Sequence, residues 1–149
     1  EWQIQPAARI YNNAAIDPAT SSWVTLTFNS ERFDTDTMHS TSSNTSRLTI
    51  PANGAGLYLI GGNLSLDLTS LVDPRCRIGI QILLNGATVI AAVEFVTHAD
   101  IDAFLSITTL YSLSVTDYVE LQVYTDQDVN VLASGNYSPE FWAIWQRRQ

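Results

Sequence analysis

At 149 residues, 46% of them hydrophobic and 15% charged, the chain suits a single globular domain spanning 1–149 and is too apolar for disorder. A net charge of −8, with seven basic residues that are all Arg and lie scattered, excludes the basic stripe that nucleic-acid binding requires. The one cysteine, Cys76, excludes an intrachain disulfide and a thiolate-rich zinc site, and no run approaches the roughly 20 apolar residues of a membrane-spanning helix.

Residues 1–6, EWQIQP, read as an N-terminal arm. Having neither an initiator Met nor the pattern of a signal peptide, they look like the start of a processed or excised chain. Thereafter the apolar residues recur with period two, the mark of half-buried strands. ARIYN (7–11) and SWVTLTFNS (22–30) are the first predicted strands, separated by the turn-rich NAAIDPATS. RFDTDTMH (32–39) and the polar STSSNTS (40–46) follow, and then the short strand at RLTIPANGAG (47–56), which Pro51 and the glycines close.

LYLIGGNLSLDL (57–68) reads as a long strand whose Gly61-Gly62 pair marks a bulge or a close backbone approach. In RIGIQILLNGATVIAAVEFV (77–96), Asn85-Gly86 separates two apolar runs and predicts a type I′ hairpin, because both central residues must take positive φ. FLSITTLYSLSV (104–115) and DYVELQVYTD (117–126) are predicted to form another hairpin, with Val119, Leu121 and Val123 on one face. THADIDAF (97–104) offers the sole candidate helical turn, capped by Asp100. PEFWAIWQ (139–146) supplies the last strand. This pattern predicts an all-β fold of about nine or ten strands, a two-sheet sandwich or jelly roll.

Asp34, Asp36 and His39 are the densest group of candidate metal ligands. Calcium wants six to eight oxygens, and catalytic zinc wants three protein ligands, a set these residues do not complete. An exposed turn braced by Asp and Thr side chains is the reading they favour, ahead of a bound cation. Neither histidine sits in a triad frame, and no phosphate loop precedes a helix, so the residues name no catalytic group and imply no cofactor. The aromatics are more informative. Trp23, Tyr118, Tyr124 and Trp145 either face a ligand, such as a glycan stacked on the rings, or are covered by a subunit interface.

The order of the pieces resembles the complement C-one-q and tumour necrosis factor superfamily. AGLYLIGGNLSLD (55–67) is similar to that family's Gly-x-Tyr strand, which follows a Pro-containing turn. LNGATVIA (84–91) resembles its central Asn-Gly hairpin. LSVTDYVELQVY (113–124) is similar to its strand entered through Gly-Asp, with Thr116 in the Gly position. SPEFWAIWQ (138–146) resembles its closing aromatic strand, with Ala143 at the small position.

The resemblance implies a ten-stranded TNF-like jelly roll, a compact homotrimer around an axis through one sheet, and a non-enzymatic role. It implies that Leu59, Gly61, Ser106, Thr108, Phe141 and Ala143 face that axis, and that Tyr58 and Ile60 point into the sandwich. The wording ERFDTD with SPEFW is most similar to phage and bacterial versions. The expectation that follows is a virion-surface or extracellular structural head: a capsid decoration, head fibre or tail-fibre knob. Its partners would be itself, capsid or fibre proteins and host surface glycan, without nucleic acid or membrane insertion. A secreted bacterial carbohydrate-binding or adhesin module is the alternative.

Overall fold

The structure is a computed structural model that describes residues 5–148. The N-terminal arm expected over 1–6 therefore lies mostly outside the described residues. Ten strands run in chain order: β1 (Ala7–Tyr11), β2 (Ser22–Thr25), β3 (Ser30–Asp34), β4 (Arg47–Thr49), β5 (Gly56–Leu66), β6 (Arg75–Leu84), β7 (Thr88–His98), β8 (Ala103–Leu113), β9 (Tyr118–Thr125) and β10 (Glu140–Arg147). The first sheet has the order β3-β1-β10-β5-β8. The second has β2-β9-β6-β7, with β4 also paired to β9, and all the pairings are antiparallel. Among the described residues no helix is long and apolar enough to cross a membrane.

The sheets meet through alternate residues of each strand. Tyr58, Ile60, Leu64 and Leu66 of β5 face Ile78, Ile80 and Ile82 of β6 and Val119, Leu121 and Val123 of β9 in one buried cluster. Gly62 belongs to this face, since a Cβ there would lie 2.7 Å from Leu121. Gly61 points the other way, and the register of β5 runs unbroken through both glycines. The pair thus marks close approach on two opposite faces, with no bulge.

Asn85 and Gly86 take φ of 53° and 69° and join β6 to β7, as a type I′ turn demands. Asn85 also ties the turn to β9: its side chain donates to Asp117 at 2.8 Å and accepts the Tyr118 N–H at 2.9 Å.

Three expectations need correction. The run 22–30 leaves its sheet after Thr25, with Leu26 and Phe28 buried between β2 and β3. The strands β8 and β9 do not form a hairpin. β8 pairs with β5 and β9 with β6, because the turn at 114–117, with Thr116 at φ 74°, carries the chain from one sheet to the other. The segment around Asp100 is a non-helical turn between β7 and β8.

Candidate functional site

In β3, Asp34 ends an edge strand and turns its carboxylate back on the following chain. Oδ1 accepts the N–H groups of Asp36 at 3.3 Å and Met38 at 2.9 Å, while Oδ2 accepts that of His39 at 2.9 Å. The buried His39 ring has both nitrogens engaged, Nδ1 2.9 Å from Glu31 Oε1 and Nε2 3.0 Å from the Thr45 carbonyl. Asp34, Asp36 and His39 are therefore near in space, but the first and last brace a turn. Among the described residues no three His, Cys, Asp or Glu side chains converge to hold a metal ion.

The candidate aromatics do not form one platform. Trp23 and Tyr124 are neighbours on the outward face of the second sheet, with ring centroids 5.5 Å apart, and Arg77 lies over Tyr124. Tyr118 lies further along β9 beneath Arg47, 3.9 Å from ring centroid to guanidinium. Trp145 is in the other sheet, packed against the core at its end, with its indole N–H on the Ala55 carbonyl at 3.4 Å. Between the outward aromatics runs a closed polar ladder: Gln81 donates to Gln122 at 2.6 Å, and Gln122 to Thr25 at 2.9 Å. This face largely satisfies its own polar groups.

The outward face of the first sheet is different. The β10 register pairs Phe141 with Gly62 and Ala143 with Ile60, both core-facing positions. Phe141 and Ala143 are accordingly fully buried, and Phe141 stacks on Phe28 at 5.9 Å. The expectation that these two face outward is wrong by one residue. Trp142 and Ile144 take that face instead. Trp142 lies flat over Gly61, where a Cβ would come within 2.4 Å of the ring, so Gly61 is the seat of a tryptophan rather than a contact surface of its own. Leu59, Ser106 and Thr108 do face outward, Ser106 bonded to Asn63 at 2.8 Å.

Two zones share this outward face. Across β5 and β8 it is open and mixed, with Leu59 beside Leu110, which is 57% exposed, and with Phe104, at 64%, further along β8 beyond Ser106 and Thr108. Phe104 meets the exposed ring of Tyr137 at 5.9 Å. The adjoining edge strand β7 adds Val93 and Phe95, which point to the core side by register with Ile80 and Ile78 yet stay exposed.

Across β3, β1 and β10 the face carries an ionic triad. The Glu140 side chain, 1% exposed, accepts from Arg9 at 2.6 Å and from Arg32 at 2.8 Å. Arg9 also donates to the Asn136 carbonyl at 2.9 Å, and Arg32 to that of Gly135 at 3.3 Å. Arg32 stacks on Tyr11 at 3.7 Å, and Arg9 lies 5.3 Å from the Trp142 ring. Sequence reading missed this triad, since its members lie up to 131 residues apart and only the sheet order joins them.

No family model and no curated protein matches the sequence. Solved structures do match in fold. Murine APRIL at pH 5.0 superposes with a TM-score of 0.66 at 6% identity, over 96% of this chain and 100% of that one. The globular domain of zebrafish complement 1qA protein gives 0.64 at 13% identity, over 97% of this chain and 99% of that one. Murine APRIL at pH 8.5 gives 0.65 at 6% identity over 96% of this chain. The fold is the TNF-like jelly roll.

Proposed function

We propose that the chain is the non-enzymatic head of a homotrimer, held together through the outward face of its first sheet. The observation that carries this reading is the exposure of large apolar side chains along one edge of the sandwich: Leu110 beside Leu59, and Phe104, on the first sheet, with Val93 and Phe95 exposed on β7, the edge strand of the second. Burial of each such side chain contributes about 1.5–3 kcal/mol, and apolar zones of this kind are surfaces that seek a partner. The apolar zone lies at one edge of the sheet and the rest of its face lies beside it. A copy that sets its β7–β8 edge on the next copy's face makes a head-to-tail contact, which closes into a ring of three when successive copies are turned by a third of a revolution. Such a ring also covers the free edges of β7 and β8. The TNF-like fold supports the assembly.

The finer reading is a structural and attachment component of a virion surface or other extracellular assembly, such as a capsid decoration, head fibre or tail-fibre knob. A lysine-free, acidic chain rich in Ser and Thr, with phage-like wording at ERFDTD and SPEFW, supports it. Leu110→Asp, an exposed position, tests the trimer: it should yield a folded monomer by light scattering with an unchanged circular dichroism spectrum. A variant that remained trimeric would defeat the reading.

The adhesin alternative has one favourable feature, the adjacent Trp23 and Tyr124 on the outward face of the second sheet. A glycan array probed with the wild type and Trp23→Ala tests it. Binding lost in the variant supports this second reading, and a blank array removes it.

A further inference from the structure

We infer that the Arg9–Glu140–Arg32 triad is the docking site for an acidic turn of a second copy, the turn between β7 and β8 that carries Asp100 and Asp102. This rests on the trimeric reading above and names the polar contact that would orient it. Two arginines on one carboxylate leave a net positive charge in a chain of net −8. Their side chains are 33% and 29% exposed, whereas that of Glu140 is 1% exposed, so the cationic partners and not the carboxylate reach the surface. Glu140 and the two carbonyls engage Nε and Nη2 of each arginine, which leaves the Nη1 groups to donate charge-assisted bonds to a further carboxylate.

The complementary group is at the other side of the same molecule. Asp100 and Asp102 belong to a turn that also exposes Ile101, at 72%, and leads into the exposed Phe104. Neither carboxylate takes a hydrogen bond or ion pair among the described residues. The turn and the triad lie at the same end of the first sheet. Glu140 is in register with Asn63 and Ser106, the turn enters β8 just beyond Ser106, and Tyr137 links Phe104 to the loop whose carbonyls hold both arginines.

A three-fold axis running along the strands keeps that end level from copy to copy. It brings the acidic turn on the β8 edge of one chain towards the β3–β1 side of the next. Because receptor and donor occupy different places, the contact is heterologous, which favours a ring over a two-fold pair. Burying the apolar zone would supply most of the affinity, and the ion pairs would set register and partner choice.

The test is the trimer dissociation constant, measured by sedimentation at low and high salt, for wild type, Asp100→Asn and the double variant Asp100→Asn/Asp102→Asn. The inference predicts that the wild-type trimer weakens with salt. It predicts a trimer weakened about tenfold in the double variant at low salt, with the salt response largely gone and the single change intermediate. Variants as tight as wild type, with the same salt response, would overturn the docking site and leave the trimer intact. A wild type monomeric at every concentration would overturn the trimer, and with it this contact.

Discussion

Tyr58 shows how one buried residue carries both packing and chemistry. Its ring lies in the core and its hydroxyl donates to the Gly54 carbonyl at 2.7 Å, fastening the Pro-Gly turn to β5. Burial, with Asp36 adding to it, pushes the phenol from 10.0 up to about 12. The neutral form is the one the fold favours, so its contribution to stability is complete below about pH 10 and lost as the pH rises towards about 12. An ultraviolet titration should show one tyrosine ionising well after the exposed ones, and Tyr58→Phe should remove that late step. Cys76 is likewise buried, its thiol pushed up to about 11 by desolvation and then by Asp126. It should resist a thiol reagent in the native protein and react on unfolding, since the thiolate is the nucleophile. Phe141, stacked on Phe28, is a core residue, so Phe141→Ala should cost about 3–5 kcal/mol in a denaturant titration.

Among the elements, β9 and β10 mark what the sequence could and could not reveal. In β9 apolar and polar residues alternate, and Val119, Leu121 and Val123 do face inward. In β10 the run Phe-Trp-Ala-Ile-Trp is apolar at both parities, so its pattern has no phase, and the expected face was wrong by one residue. Pairing was legible only where a turn dictated it, as at Asn85-Gly86. The 114–117 turn has equally tight chemistry but leads across the sandwich, a choice made by core contacts distant in sequence. The triad was illegible for the same reason. Gly61 had a legible signal of close approach, and its partner proves to be Trp142. Gly61→Ala should drive a Cβ against that ring and the Ile107 carbonyl, with a loss of about 1–3 kcal/mol in thermal or denaturant unfolding.

At the scale of the molecule the two outward faces divide the labour. The second sheet closes its polar groups on one another and stacks Arg47 and Arg77 on tyrosines. The first leaves Leu110 and Phe104 exposed and a cationic triad on the same face, and its free edge carries exposed apolar and acidic residues. The proposed ring of identical chains rests on that asymmetry. The most direct test is the mass of the wild-type chain in solution by light scattering across a range of concentrations. A plateau at three times the 16.5 kDa chain mass is the expected result, and a species that stays at one chain mass at every concentration would contradict it.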